Sequence, residues 1–235
     1  MTTFVQRLNL GCGTSAAAGW VNVDGSWAAW LSRHPTLRRG LVRAGVVPAA
    51  VEDASWPKDV IVHDLRRSLP FHSESFDAVY ASHVLEHLYL TDARRLLVEC
   101  FRILRPGGVL RIVVPDLRDI VEEYAAARSS ESHGGADASG TDPCERLNGR
   151  LMLRHEHPPR GPLHLRLYAF FSDFHSHKWV YDAPHLIAMF QQAGFEQAGL
   201  RGYLESAIEG IAHVERGDRV LGGEGICVEG RRGVM

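Results

Sequence analysis

The heptapeptide SHVLEHL, residues 82–88, groups three side chains able to move protons or bind metal ions: His83, Glu86 and His87. Spaced i, i+3 and i+4, they share one face if the segment makes a helical turn. Three kinds of chemistry are open to them. His83 can act as general base toward a substrate hydroxyl, work worth about 10²–10⁴-fold in rate. The trio can hold a divalent metal ion. Glu86 and His87 can also simply tie the turn to neighbouring backbone. A second candidate stretch, residues 154–182, carries His155, His157, His164, His175 and His177, with H-x-H twice. Alternating histidines on a strand point to one face, but no cysteine or firm carboxylate set completes a metal site there. The stretch reads as a substrate-facing cap in which His177, Lys178, Trp179 and Tyr168, with Phe171 and Tyr181, meet a polar, ring-bearing molecule. The alternative is plain packing or solvated surface.

A third stretch, RLNLGCGTSAAAGWVNVDGS at residues 7–26, offers ligand binding rather than catalysis. Gly11 and Gly13 allow a sharp turn after an apolar strand and a close approach of backbone to a ligand. A helix N-terminus after that turn would donate backbone N–H groups. GCGTSA satisfies G-x-G-x-x-A, so a nicotinamide dinucleotide is one reading. That fingerprint wants a full helix and an acidic residue about 20 positions further on. Asp24 arrives too early, and TSAAAG leaves room for barely a turn or two. A tight strand–turn packed with small residues is the bland alternative. Asp24 ends one strand and Asp64 follows another. A carboxylate at the first place can bind both hydroxyls of a ribose, and one at the second can accept from an exocyclic amine.

These residues need a scaffold that brings strand ends together. FVQRLNLG, WVNVDGS, DVIVHDL, SFDAVYAS and GVLRIVVPD read as strands. TDARRLLVECFRIL reads as a helix capped by Thr91, with Leu97, Cys100, Phe101 and Leu104 at helical spacing and RPGG as its stop. LRDIVEEYAAA and APHLIAMFQQAGF give further helices, the second ended by Gly194, and FEQAGLRGY and GICVEGRR read as closing strands. The alternation predicts an α/β, Rossmann-like, doubly wound and mostly parallel sheet of seven strands, with a cap or lid insertion. In such a sheet ligands sit beyond the carboxyl ends of the strands, where Gly11, Gly13, Asp24 and Asp64 all fall. Residues 129–149, rich in Gly, Ser and Asp, read as a mobile loop and candidate lid. The expected division is a core over 1–127, a lid and substrate region over 128–182, and completion of the same sheet over 183–235.

The chain has 235 residues, of which 45% are hydrophobic and 23% charged, and its net charge is −2. That balance suits a globular protein and argues against a nucleic-acid partner, as does the lack of a basic arm. No apolar run approaches a membrane span. The four cysteines are scattered, which suits a reduced cytoplasmic protein.

LNLGCG, NVDGS, HDLRRSLPFHSESFDAVYASHVLEHL and ECFRILRPGGVLRIVVPDL together resemble the class I S-adenosylmethionine-dependent methyltransferases, and most closely the broad bacterial methyltransferase-domain family. The resemblance covers about residues 7–120. It implies that Gly11 and Gly13, with Asn9 and Cys12, meet the methionine end of S-adenosylmethionine. Asp24 and Gly25 then meet the ribose, Asp64 and Leu65 the adenine, and Ser82 and His83 flank the methionine moiety. Ser15 stands where the family's third glycine is common. The trio at 83–87 resembles the E-x-x-E-H metal motif of small-RNA 2′-O-methyltransferases, with His83 in place of the first glutamate. The implied activity is methylation of a small molecule or sugar, on oxygen, in a biosynthetic pathway. Alternatives are a non-methylating use of the sulfonium, a non-catalytic cofactor-binding module, and an NAD-dependent oxidoreductase.

Overall fold

The computed structural model describes residues 5–47, 56–132, 142–152 and 176–234. A seven-stranded sheet runs in the order β3-β2-β1-β4-β5-β7-β6. Its strands are β1 (Arg7–Leu10), β2 (Val21–Asp24), β3 (Ile61–Val62), β4 (Phe76–Ser82), β5 (Leu104–Val114), β6 (Phe195–Arg201) and β7 (Ile226–Arg232). Pairing is parallel from β3 to β5 and antiparallel where β7 joins β5 and β6. The helices are α1 (Trp27–Ser32), α2 (Pro35–Arg43), α3 (Leu90–Ile103), α4 (Leu117–Ser132), α5 (Pro143–Leu151) and α6 (Ala183–Gln192). The sheet is the expected mostly parallel, Rossmann-like arrangement.

Strand periodicity explains why the central strands read as unbroken apolar runs. Successive side chains point to opposite faces, and both faces of this sheet are covered. From β4, Val79 and Ala81 enter one apolar cluster with Leu96, Leu97, Cys100, Met189 and Phe190, the buried stripes of α3 and α6. Ala78 and Tyr80 enter the opposite cluster with Trp20, Ile208 and Ile211. Leu97 and Phe190 are wholly buried. Burial of such a side chain contributes about 1.5–3 kcal/mol.

Three local expectations are corrected. The cap of α3 is Tyr89, without a side-chain bond, and Thr91 lies inside the helix. The early start leaves Thr91 no free N–H to receive. α3 ends at Ile103, one residue ahead of the expected end and just before RPGG. β5 begins at Leu104, but its pairing with β4 jumps from Leu104 opposite Phe76 to Val109 opposite Ala78, so residues 105–108 bulge out of the ladder with Gly107 at φ +81°. Residues 11–20 form turns and no helix, so no helix N-terminus stands behind the glycines. Finally, the polar stretch 129–149 is partly helical. It holds the end of α4 and most of α5, which Asp142 caps by accepting from Cys144 N at 2.7 Å with Pro143 in the first turn. The stretch between them, 133–141, lies outside the described residues, so the lid is not addressed there.

Candidate functional site

Strand order reverses between β1 and β4, and a crevice opens at such a switch point beyond the carboxyl ends of the strands. The turn after β1 forms its floor. Gly11 has φ +64°, and a Cβ there would lie 2.3 Å from Val84 Cγ2. Only glycine allows the two turns to touch. Gly13 has φ +56°, and no atom of the described residues lies within 4 Å of where its Cβ would stand. The backbone is thus bare on that side, as a ligand-facing turn requires.

Asp24 stitches this floor to the next strand end. Its buried carboxylate accepts from Gly13 N and from Ser26 N, each at 2.8 Å. Two oxygens offer about four acceptor positions, so capacity remains for hydroxyl donors. Asn9 donates from Nδ2 to Asn22 Oδ1 at 3.1 Å, and Asn22 pins the 17–20 turn. These two asparagines are buried braces beneath the floor. Gly25 packs directly on the backbone of residues 63–65, which brings Asp64 and Leu65 beside the end of β2. Asp64 itself is gripped by Arg66, whose Nε and Nη2 donate to its two oxygens at 2.9 Å each. Those bonds hold its carboxyl below the ordinary carboxylate range. Cys12 is buried, and burial followed by the nearby Asp24 charge pushes its thiol up to about 12. It is an inert packing group rather than a nucleophile.

The wall opposite is the end of β4. Ser82 closes the strand, and His83 follows with φ +54°, a left-handed conformation uncommon for a side-chain-bearing residue. His83 Nε2 lies 3.1 Å from the carbonyl oxygen of Arg219. A carbonyl only accepts, so Nε2 carries the hydrogen and Nδ1 is the nitrogen left to take a proton. Nδ1 is 3.2 Å from Glu86 Oε1, close enough for an ion pair but not aligned as a hydrogen bond. Residues Leu85–His87 make one 3-10 turn.

Glu86 is completely buried, and both of its carboxylate oxygens lack a hydrogen-bond partner among the described residues. The late segment packs onto this turn through backbone. Lys178 N donates to the Glu86 carbonyl at 2.7 Å, and Tyr181 Oη donates to the Leu85 carbonyl at 3.3 Å. That docking brings in His177, whose imidazole is buried with an Nδ1 that finds no partner among the described residues. Burial lowers its basicity, with the Glu86 charge opposing, and so favours the neutral ring. The His87 and His177 rings meet edge to face with centroids 5.1 Å apart. Glu86, His87 and His177 each bring one ligand atom into a group spanning no more than 4.8 Å.

The structure thus groups Gly11, Gly13, Asp24, Gly25, Asp64 and Leu65 on one rim, with Ser82 and His83 next to Gly11 through Val84. His83, Glu86 and His87 stay together: His83 Nδ1 is 3.2 Å from Glu86 Oε1 while its Nε2 meets Arg219, and Glu86 and His87 cluster with His177. Lys178 and Trp179 reach the turn through main chain, while the Trp179 ring is partly exposed and meets His185 edge to face. Tyr168, Phe171, His155, His157, His164 and His175 lie outside the described residues. Sequence reasoning missed Arg219, whose carbonyl fixes the His83 tautomer, and the union of His177 with Glu86. A signal existed for neither, because nothing local marks a backbone acceptor or a distant partner.

Residues 8–112 match the family described as "Methyltransferase domain". A protein from Mycolicibacterium smegmatis, described as a probable S-adenosylmethionine-dependent methyltransferase, is 40% identical over 63 residues, or 27% of this chain and 24% of its own length. The chain therefore matches about a quarter of that curated relative. Among solved structures, a SAM-dependent methyltransferase from Archaeoglobus fulgidus is 13% identical, with a TM-score of 0.48 over 98% of this chain and 87% of its own. Human N-acetylserotonin methyltransferase, solved with SAM, is 13% identical, with a TM-score of 0.46 over 98% and 48%.

Proposed function

We propose that this chain, whose residues 8–112 are a methyltransferase domain of the class I Rossmann-like kind, transfers a methyl group from S-adenosylmethionine to an oxygen of a small molecule or sugar. The observation that carries the reading is the Asp24 carboxylate at the switch-point crevice. It is buried, tied to the bare Gly13 turn, and has acceptor capacity to spare. That arrangement suits a ribose diol, and the missing helix behind the glycines leaves no seat for the pyrophosphate of a dinucleotide.

The roles follow from position. Gly11, Gly13, Asn9 and Cys12 form or brace the floor for the methionine end. Asp24 and Gly25 take the ribose. Leu65 and Asp64 border the adenine. Ser82 and His83 close the opposite wall. In the reaction the acceptor oxygen attacks the methyl carbon, the C–S bond breaks, and the sulfonium becomes a neutral thioether. The hydroxyl proton passes to His83 Nδ1, and the Glu86 carboxylate at 3.2 Å stabilises the resulting imidazolium. Positioning supplies the larger share, roughly 7–11 kcal/mol of the barrier in well-oriented cases. His177, Lys178, Trp179 and Tyr168 belong to the segment proposed to meet the acceptor.

Calorimetric titration of S-adenosylhomocysteine tests the reading. Asp24→Ala removes charge-assisted hydrogen bonds worth about 1.5–3 kcal/mol, so affinity falls roughly 10- to 100-fold. Wild-type protein that binds no S-adenosylhomocysteine overturns the cofactor assignment. Binding without transfer to any hydroxylated acceptor leaves a cofactor-binding module. With an acceptor in hand, His83→Ala lowers kcat by about 10²–10⁴-fold if Nδ1 takes the proton.

A further inference from the structure

Among the described residues, the orphaned carboxylate of Glu86 is the least explained group. A buried charge is expected to be paired or to coordinate a metal. Glu86 is fully buried with no hydrogen bond to either oxygen from the described residues, and His83, 3.2 Å from Oε1, is misaligned. His177 repeats the pattern, being buried with an orphaned Nδ1, and it points into the same place. Two orphaned groups from distant segments meeting beside a third donor, His87, describe an empty coordination shell better than a packing accident.

We propose that Glu86, His87 and His177 bind one divalent transition-metal ion. Two imidazoles and one carboxylate suit zinc, cobalt, iron(II) or nickel, whereas magnesium and calcium favour all-oxygen shells. Ligand bonds of about 2.0–2.2 Å place tetrahedral donors roughly 3.3 Å apart. The three donors now span up to 4.8 Å, so small side-chain rotations close the set. Three protein ligands leave a further position for water or a substrate oxygen. His83 is not a ligand. Its Nδ1 faces Glu86 Oε1 at 3.2 Å, which makes it a positioning residue for the carboxylate. The ion clamps the segment beginning at Ser176 onto the turn that touches the Gly11 floor, so it joins the acceptor side of the crevice to the cofactor side. The ligand set stands whether or not the chain transfers methyl groups.

The test uses the full chain, stripped by chelator dialysis and titrated with cobalt(II) alone, read by visible d–d absorption and by calorimetry. The expected result is one ion per chain, with the cobalt spectrum abolished by competing zinc. Glu86→Gln and His177→Asn each abolish the spectrum, while His83→Asn weakens binding by about 10–100-fold, as losses beside a metal ligand do. Thermal unfolding in chelator and far-ultraviolet circular dichroism report whether each variant is folded, independently of the metal and of the cofactor. Should Glu86→Gln fail to fold, His177→Asn decides alone, because it lies on a separate segment. No bound cobalt in the wild type, or binding unchanged in the folded variants, overturns the site. Failure of S-adenosylhomocysteine binding with cobalt binding intact counts against the methyltransferase reading and leaves the metal site standing.

Discussion

Two of the regions where this molecule buries carboxylates treat them in opposite ways. On one face of the sheet, beside Trp20 and Ile208, Arg111 extends from the middle of β5. Its Nε and Nη2 donate to the two oxygens of Glu215 at 2.7 and 2.9 Å, and it also donates to the carbonyls of Gly202 and Glu205. Glu215 accepts from Leu204 N as well, and Glu229 accepts from Ser206 Oγ and Ala207 N. Glu86 is equally buried and has no hydrogen bond to its carboxylate among the described residues. The protein can therefore saturate a buried carboxylate when the purpose is to hold a loop to a sheet. An unsaturated Glu86 is what the proposed metal site would use.

The comparison breaks most sharply by substitution. Arg111→Ala strands the Glu215 charge and costs about 3–5 kcal/mol of stability, the usual result of removing one partner from a buried pair. Urea unfolding measures it, and a loss below about 1 kcal/mol would mean the network is not the brace described. Glu86→Leu does the reverse. In chelator it removes an unsatisfied buried group, whose presence costs about 1–3 kcal/mol, so the variant is the more stable protein. The same unfolding curves read this out. A Glu86→Leu variant several kcal/mol less stable than wild type would show that Glu86 is satisfied after all and that the two regions are alike.

The unequal legibility of these regions has a physical basis. The rim was readable because each of its residues serves backbone geometry or a strand end, and both follow from local sequence. Gly11 and Gly13 mark a turn, and Asp24 closes an alternating apolar run. Arg111 carried a readable signal too, since a charge inside GVLRIVVPD demands a partner, but the partners Glu215 and Glu229 sit in loops and strands no pattern connects to it. His177 could be singled out for its type but not assigned to Glu86, because only the fold brings the two together. RPGG was legible because its turn propensity is local: the helix ends just before it, and residues 105–108 fall in the register shift outside the β4 ladder. Residues 143–151 hid a helix behind a polar composition, although the Asp142–Pro143 start is a helix-entry signal.

The smallest effect sharpens the comparison by holding chemistry constant and changing only burial. Arg66 grips Asp64 with the same two-pronged geometry that Arg111 uses on Glu215, at 2.9 Å on each oxygen. Here, however, the partners are 50% and 32% exposed, against 0% for both partners of the buried pair. Water screens the surface pair, so Arg66→Ala costs only about 0.2–1 kcal/mol. The pH sign follows from the Asp64 carboxyl, which Arg66 holds below its ordinary range. Below that depressed value the carboxyl is protonated in both states and the pair contributes nothing. Above the unfolded value, about 3.9, it is ionised in both and the contribution is complete. Stability from Asp64 is therefore present at neutral pH and lost as pH falls through the acid range toward the folded value. The difference between wild type and Arg66→Ala, followed by unfolding from pH 7 downward, shrinks toward zero in that window. A difference that stays constant would assign the Arg66 contribution to packing of its stem rather than to charge. A difference as large as that of Arg111→Ala would mean that burial is not what separates the two pairs.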